Sequence, residues 1–227
     1  MIGAVVASGV FLTLEGIEGS GKSTQMLLLS QRLREKGLPL VVSKEPGGTS
    51  LGIRIRQVLL DRDPKIETCT PESELFLFYA DRAQHLQEVI RPALAENKIV
   101  LVDRFEDSSR AYQGTLGVSK ILLDQLAENI LGSTRPHLTI LLDIDSELSL
   151  QRVETRNSSL GGGFKERRYD QETLRFHQEV RQRFLGIAKQ EPHRIHVVEA
   201  HRRPDQVFES IWDRVSETLK VHGHLVS

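Results

Sequence analysis

The sequence predicts an α/β protein with a parallel sheet flanked by helices on both faces, and three observations lead to this fold class. Three short runs, 10–15, 98–103 and 138–143, are rich in β-branched residues or leucine, and each ends in a carboxylate. Continuous apolar runs of this length are typical of buried parallel strands. Helical patterns lie between the runs, and a glycine-rich loop directly follows the first one.

The other elements are predicted in chain order from local patterns. Two further strand candidates cover 38–45 and 194–200. The predicted helices cover 23–37, 73–97, 119–132, 147–156 and 170–190. Gly37 is the expected stop of the first helix, and the Gly/Ser-rich tract 157–165 is predicted to be a mobile loop tip. Since the sequence contains no repeat or domain linker, we expect a single domain over 1–227.

Composition excludes several classes of partner. Apolar residues make up 39% and charged residues 27% of the chain, which is ordinary for a globular protein. The formal net charge of -1 argues against a nucleic-acid or membrane-surface binder, which would show a basic excess. The apolar N-terminal stretch lacks the basic region of a signal peptide, and no run approaches the ~20 apolar residues of a membrane span. With Cys69 as its one cysteine, the chain is predicted to be cytoplasmic.

The segment GIEGSGKST, residues 16–24, fits the phosphate-loop pattern G-x-x-x-x-G-K-[ST] between a predicted strand and a predicted helix. Glycines let successive backbone N–H groups turn inward and cradle phosphate, and the following helix N-terminus favours an anion. Lys22 would reach the β- and γ-phosphates of ATP, and Ser23 would hold Mg²⁺. The residues predicted to bind the ATP phosphates are Gly16, Ile17, Glu18, Gly19, Ser20, Gly21, Lys22, Ser23 and Thr24.

Many classes of protein share this loop, and the neighbouring polar residues Asp103 and Arg104 help to decide between them. Asp103 ends the run 98–103 and Arg104 follows it, at a strand end where a carboxylate can order Mg²⁺ directly or through water and an arginine can bind phosphate bidentately. An ordinary surface ion pair is the alternative interpretation. The chain has neither the N-K-x-D element of guanine-specific switch proteins nor the L-S-G-G-Q segment of transporter motors.

Five segments together carry a family resemblance: 16–24, 45–52 with Arg56, 77–84, 103–114 and 156–168. They resemble the bacterial thymidylate kinases, a family of P-loop nucleoside monophosphate kinases. The resemblance implies ATP-dependent phosphorylation of dTMP to dTDP with Mg²⁺, a five-stranded parallel sheet, a mobile lid at about 156–170, and a homodimer. The run DRFEDSSRAYQG at 103–114 is the most specific of the five, whereas the glycine loop is shared with many families.

The acceptor site is read from spacing and from this resemblance. Phe78 and Arg82 lie four residues apart on a predicted helix and share one face, so a ring can stack on a base beside a guanidinium that donates to a base carbonyl. The resemblance implies that this base is thymine. It also implies that Ser109 faces the ring nitrogen and that Tyr112 packs below the sugar, where its ring would crowd a ribose 2′-hydroxyl.

The resemblance further places Gln113 beside the base, Pro46 in the wall of the base pocket and Arg56 on the acceptor phosphate. Ser108 and Gly114 are interpreted as structural residues of the turn. Among Phe76, Phe78 and Tyr79, at least one is expected to belong to the core.

The predicted catalytic residues are Lys22, Asp103, Arg104, Arg156 and Arg168. Phosphoryl transfer needs in-line positioning and charge neutralisation more than covalent chemistry, and the acceptor phosphate is already anionic, so no general base is assigned. The family commonly has Asp-Arg before the lid helix, but this chain has Arg167-Arg168, which leaves open whether Arg156, Arg167 or Arg168 contacts the transferred phosphate.

Glu18 is a carboxylate in a loop that binds a polyanion. The resemblance implies that it points to the acceptor and accepts a hydrogen bond from the sugar 3′-hydroxyl. A solvent-facing loop residue is the alternative.

Two other functions are weighed against this one. A kinase for another nucleoside monophosphate or deoxynucleoside would share the phosphate loop. A non-catalytic nucleotide-binding regulator should lack a paired acceptor site and a basic lid, both of which this sequence has. The eight histidines show no ligand-like spacing that would indicate a metal enzyme.

Overall fold

A five-stranded sheet in the order β2–β3–β1–β4–β5 forms the centre of the computed structural model, which describes residues 9–60, 69–159, 169 and 172–224. Every pairing between these strands is parallel. The strands are β1 Val10–Glu15, β2 Leu40–Lys44, β3 Ile99–Asp103, β4 Leu138–Asp143 and β5 Ile195–Glu199. The predicted fold class is confirmed, and all five strand candidates form strands.

Both faces of the sheet are buried, as parallel sheets require. Val10, Leu12 and Leu14 of β1 belong to one apolar cluster, and Phe11, which lies between Val10 and Leu12, belongs to another on the opposite face. Val100 and Val102 of β3 join Phe11 in that second cluster. Since successive strand residues point to opposite faces, continuous apolar runs are what a two-sided core demands.

Helices connect the strands and cover the sheet. The described helices are α1 Lys22–Glu35, α2 Ser50–Leu60, α3 Pro71–His85, α4 Arg91–Ala95, α5 Glu106–Thr115, α6 Lys120–Leu131, α7 Ser146–Ser159, α8 Leu174–Gln190 and α9 Pro204–Val221. Side-chain oxygens of Thr70, Ser119 and Thr173 accept hydrogen bonds from backbone N–H groups in the first turns of α3, α6 and α8. These caps explain where the three helices begin.

Three predictions of secondary structure need correction. The pattern over 73–97 is not one helix, because a π-helical turn, Leu86–Ile90, separates α3 from α4 just before Pro92, which has no N–H to donate. The helix predicted over 170–190 begins at Leu174, after its Thr173 cap. Residues 157–159, predicted as part of a loop, continue α7. The rest of the tract 157–165, and most of the predicted lid, lie outside the described residues.

Three further helices, α2, α5 and α9, were not among the predicted helices, and Ser108 and Gly114, interpreted as residues of a turn, lie within α5. The clearest missed helix is α9. Its buried side chains Val207, Ile211, Val215 and Leu219 recur at four-residue spacing, and Pro204 occupies the first turn. Both are helix signals that the sequence contains. None of the helices in the described part of the chain has the length and apolar character needed to cross a membrane.

Candidate active site

The phosphate loop connects β1 to α1 at the carboxyl edge of the sheet. Gly19 and Gly21 have φ angles of 73° and 94°, in the left-handed region that favours glycine. A Cβ on Gly19 would lie 2.3 Å from the carbonyl oxygen of Ser149, so no larger residue fits there. Because α1 begins at Lys22, its N-terminal N–H groups face this loop, an arrangement that suits an anionic ligand.

Lys22 is folded back over the loop that precedes it. Its ammonium donates to the carbonyl oxygens of Gly16 and Ile17 at 2.8 and 2.9 Å and to Ser20 Oγ at 3.4 Å. Burial, together with the nearby charge of Arg104, lowers the pKa of Lys22 to about 8, although Asp103, Glu18 and Glu15 oppose this. A bound phosphate would favour the charged ammonium.

Glu18 points inward, to a cluster with Arg104 and Tyr112. Arg104 Nη2 donates to Glu18 Oε1 at 2.8 Å, and the Tyr112 hydroxyl donates to Oε2 at 2.6 Å. Burial opposes ionisation, but Arg104 and Lys22 hold the pKa of Glu18 below its ordinary value. The side chain is 13% exposed, so the interpretation as a solvent-facing loop residue is wrong.

Arg104 is held on three sides. Besides Glu18 it donates to Ser108 Oγ at 3.0 Å and to the Tyr112 hydroxyl at 3.2 Å, and its guanidinium carbon lies 5.1 Å from the centre of the Tyr112 ring. Its backbone φ is 67°, which is unfavourable for a residue with a Cβ. The alternative of an ordinary surface pair between Asp103 and Arg104 is therefore wrong, because Arg104 pairs with the phosphate loop instead.

Glu15, the last residue of β1, forms hydrogen bonds with the segment that follows β3. Its carboxylate accepts hydrogen bonds from the backbone N–H of Phe105 at 2.8 Å and from the Ser108 hydroxyl at 2.6 Å. Burial, reinforced by the charge of Asp107, raises the pKa of Glu15 to about 7. Ser108 thus links Glu15 to Arg104.

Arg82 is buried on α3 and oriented by three acceptors. Its Nε donates to Glu45 Oε2 at 2.8 Å, Nη1 to Ser109 Oγ at 3.1 Å, and Nη2 to the carbonyl oxygen of Phe105 at 2.9 Å. The guanidinium carbon lies 4.7 Å from the ring centre of Tyr79 and 5.1 Å from that of Phe105. These three bonds use three of the five N–H groups of the guanidinium, and the side chain also lines the cavity described below.

The three neighbouring aromatic residues of α3 differ in how far their side chains are exposed to solvent. Tyr79 is buried in the core, Phe76 is 52% exposed, and Phe78 is half-buried. Tyr79 is thus the expected core residue, and Phe78 is the ring that reaches the cavity described next.

A cavity of about 300 Å³ joins the phosphate loop to the predicted acceptor site. Most of the predicted site residues line it: Glu18, Gly19, Gly21, Lys22, Ser23, Thr24, Pro46, Arg56, Phe78, Arg82, Asp103, Arg104, Ser109, Tyr112, Gln113 and Arg156. Gly16, Ile17 and Ser20 do not line it, and instead supply the oxygens that hold Lys22. Arg168 and Arg167 lie outside the described residues.

Sequence reasoning missed several residues of the cavity wall. They are Glu45, Leu60, Phe105, Ser108, Arg152 and Tyr169. Ser108, interpreted as structural, both faces the cavity and bonds Arg104. Tyr169 donates to Glu74 and packs 4.9 Å from the Tyr112 ring, a contact between distant segments that no local pattern could indicate. In the described part of the chain, no group of three or more His, Cys, Asp or Glu side chains could hold a metal ion.

The parallel sheet, the phosphate loop and the shared cavity define a P-loop nucleotide kinase. A family model described as thymidylate kinase matches residues 14–211. The chain belongs to the thymidylate kinase family. It is 47% identical over 214 residues to the thymidylate kinase of Syntrophotalea carbinolica, covering 94% of this chain and 98% of the relative.

Two further comparisons agree. The thymidylate kinase of Deinococcus radiodurans is 46% identical over 213 residues, covering 93% of this chain and 98% of the relative. The crystal structure of thymidylate kinase from Ehrlichia chaffeensis is similar with a TM-score of 0.73 and 32% identity, covering 92% of this chain and 99% of that one. The predicted family, fold class and kinase class are confirmed, and the comparisons support phosphorylation of dTMP to dTDP over the alternative functions.

Proposed function

We propose that this chain transfers the γ-phosphoryl group of ATP to dTMP and releases ADP and dTDP. The single observation that supports this most strongly is that one cavity is lined both by the phosphate loop and by the residues predicted to bind the acceptor. Lys22 and Ser23 line the side of the cavity proposed for the donor, and Arg56 and Phe78 line the side proposed for the acceptor. An in-line transfer requires that two phosphate-bearing ligands bind next to each other in one cavity.

The chemistry of Arg82 supports a base with a carbonyl oxygen at C4. The guanidinium presents N–H donors to the cavity and no acceptor. Thymine and uracil offer an oxygen there, whereas cytosine offers an amino group whose N–H would oppose the arginine. Ser109, held by Arg82 Nη1, supplies a hydroxyl that can face the neighbouring ring nitrogen. Phe78 provides an aromatic face for stacking.

Glu18 and Tyr112 support recognition of the deoxyribose. Each Glu18 carboxylate oxygen has a second lone pair beyond its bond to Arg104 or Tyr112, so the group can still accept from a sugar 3′-hydroxyl. The Tyr112 ring, fixed by its hydroxyl bond to Glu18, would occupy the space that a 2′-hydroxyl needs. A preference for deoxynucleotides follows from that crowding.

Arg104 is the group best placed to neutralise charge between donor and acceptor. It lies in the cavity wall and is oriented by Glu18, Ser108 and Tyr112, so its guanidinium is positioned before substrate binds. Pre-organised charge of this kind lowers the barrier because little reorganisation is needed during reaction. Lys22 adds charge on the donor side, where binding of a triphosphate would replace some of its bonds to the loop.

The basic lid is proposed to complete the phosphate clamp. Arg156 of α7 lines the cavity and supports the proposal, and Arg168 is included by family resemblance. Arg152, one turn earlier on α7, also lines the cavity and donates to the carbonyl oxygen of Ala200 at 3.1 Å.

The residues present fit a Mg²⁺ ion. Asp103 Oδ1 is buried and has no hydrogen-bond partner among the described residues, and Ser23 presents its hydroxyl to the same cavity. Oxygen ligands of this kind, completed by water and phosphate, suit Mg²⁺. We propose that Ser23 and Asp103 hold it, directly or through water. Bound there, the ion would neutralise phosphate charge.

Dimerisation is proposed from the family resemblance together with the surface of α2 and α3. These helices pack against each other and expose Leu51, Ile53, Val58 and Phe76, each about half exposed. Exposed apolar side chains on neighbouring helices are candidates for an interaction site, and a second copy is the partner the family suggests. A cytoplasmic location is proposed because nucleotide substrates and one cysteine suit a reducing compartment.

The test is ADP release from ATP and Mg²⁺ with a panel of nucleoside monophosphates. We expect dTMP to give the highest kcat/KM, dUMP to follow, and dCMP, AMP and GMP to be poor. Turnover that is no faster with dTMP than with the other monophosphates would contradict the proposal and favour a different acceptor. ATP binding without any turnover would favour a regulator.

A further inference from the structure

A chain of hydrogen bonds runs from Ser43 and His85, which lie outside the cavity wall, to Glu45 on the acceptor side of the cavity. Ser43 of β2 lies 2.7 Å, Oγ to Nε2, from His85 at the end of α3. His85 Nδ1 lies 2.9 Å from Glu45 Oε1. The His85 side chain is fully buried and that of Glu45 is 2% exposed. Three polar groups from different parts of the chain thus form a line.

This line ends on the proposed base-recognising residue. The second carboxylate oxygen of Glu45 accepts from Arg82 Nε at 2.8 Å, and the Arg82 side chain is 1% exposed. Glu45 therefore holds His85 with one oxygen and Arg82 with the other. A rotation of Glu45 about its side chain would break both bonds, so whatever fixes one oxygen also fixes the other.

A carboxylate only accepts, which determines the direction of the two hydrogen bonds to Glu45. Glu45 as a carboxylate accepts from Arg82, so on its other oxygen it accepts from His85 Nδ1–H. The Ser43 hydroxyl can both donate and accept, so it is a suitable partner for Nε2 in either role. Every member of the line has a matched partner, which is the condition under which a buried polar network gives rigidity.

The loop after β2 leaves just enough room for this contact. A Cβ on Gly48 would lie 2.5 Å from His85 Nε2 and 2.7 Å from Ser43 Oγ. Any side chain at Gly48 would therefore push Ser43 and His85 apart. The second glycine of the EPGG segment thus has a packing role at the network, in addition to its place in the turn.

We propose that His85 is a positioning residue that fixes Glu45, and through it the guanidinium of Arg82, so that the enzyme selects the base of its acceptor. Ser43 fixes His85 in turn. This inference rests on the proposed function, since Arg82 must contact the base for its orientation to matter. His85 itself lies outside the cavity wall and touches no substrate in the proposal.

The experiment compares His85→Leu with His85→Asn in the full-length enzyme. Leucine removes the donor to Glu45, and asparagine can return an N–H near the position of Nδ1. We expect His85→Leu to raise the KM for dTMP about tenfold, the effect of losing about 1.4 kcal/mol of binding, and to lower the kcat/KM preference for dTMP over dCMP similarly. The KM for ATP should stay within about twofold, and His85→Asn should recover dTMP binding to within about threefold of wild type. His193→Leu, at an exposed histidine before β5, is the matched control and should change neither constant.

A double-mutant cycle separates this inference from the proposed function. In an Arg82→Ala background, His85→Leu should have less than about a twofold further effect, because its action passes through Arg82. If Arg82→Ala itself leaves the preference for dTMP over dCMP unchanged, the proposed base recognition is wrong. If Arg82→Ala abolishes that preference and His85→Leu does not reduce it, the positioning role alone is wrong.

A role of His85 in stability only would appear differently. Such a role would lower active concentration and kcat while leaving the KM for dTMP and base preference unchanged, and that result would overturn the proposal. If the His85→Leu variant does not fold, the Ser43→Ala variant provides the test of the proposal instead. Loss of the Ser43 hydroxyl should raise the KM for dTMP about threefold and leave the KM for ATP unchanged. An unchanged KM for dTMP would overturn the proposal.

Discussion

Replacing Arg104 with alanine and with glycine separates the chemical role of its guanidinium from the strain of its backbone. The residue adopts a φ of 67° immediately after β3, where its N–H donates to the carbonyl oxygen of Leu14 at 3.0 Å. A residue with a Cβ is less stable in this conformation by about 1–2 kcal/mol, and glycine is not. Both variants remove the same guanidinium, so they should differ in stability and agree in chemistry.

The expected magnitudes follow from the contacts of Arg104. Removing one partner of a buried ion pair costs about 3–5 kcal/mol. The pair with Glu18 leaves the two side chains 19% and 13% exposed, and Tyr112 still bonds the remaining carboxylate. We therefore expect the lower end of that range or less, about 2–3 kcal/mol, for Arg104→Ala. Arg104→Gly should be more stable than Arg104→Ala by about 1 kcal/mol.

Turnover should fall by roughly 10³-fold in both variants, the scale of arginines that stabilise a transferred phosphoryl group. Coupled ADP release at saturating ATP and dTMP measures turnover, and urea unfolding measures the free energy of unfolding. A loss of turnover below about tenfold would refute a direct role in phosphoryl transfer. Equal stability of the two variants would refute the argument from backbone strain.

Two further predictions concern stability and assembly. The pKa of Glu15 is raised from 4.5 to about 7 in the fold, so the folded state binds more protons than the unfolded state between these values, and this stabilising contribution is lost as pH rises through 7. Relative to Glu15→Gln, the free energy of unfolding of the wild type should therefore fall by about 3 kcal/mol from pH 4.5 to 8 in urea titrations, and a pH-independent difference would argue against the raised pKa. Phe76→Glu should convert a dimer to a monomer in light scattering because it places charge in the exposed apolar surface of α2 and α3, whereas Val221→Glu on α9 should not. A wild-type chain that is already monomeric would count against the dimer.

The phosphate loop and the strands were predictable because each depends on local chemistry. Glycines at Gly19 and Gly21 permit positive φ wherever the loop occurs, and a continuous apolar strand such as 138–143 has to be buried on both faces. The spacing of Phe78 and Arg82 also acts within one helix, and both side chains line the cavity. The helix α9 was missed although its four-residue apolar spacing was available in the sequence.

The amino-acid sequence by itself determined the class of fold, the phosphate loop and the family, because these depend on residues close together in the chain. The tertiary structure decided what Glu18 contacts, since its partners Arg104 and Tyr112 lie 86 and 94 residues away. It also decided that Tyr169 enters the cavity wall and that His85 meets Glu45 across 40 residues. A hydrogen bond depends on distance and direction in space, and sequence spacing fixes neither once the chain crosses from one element to another.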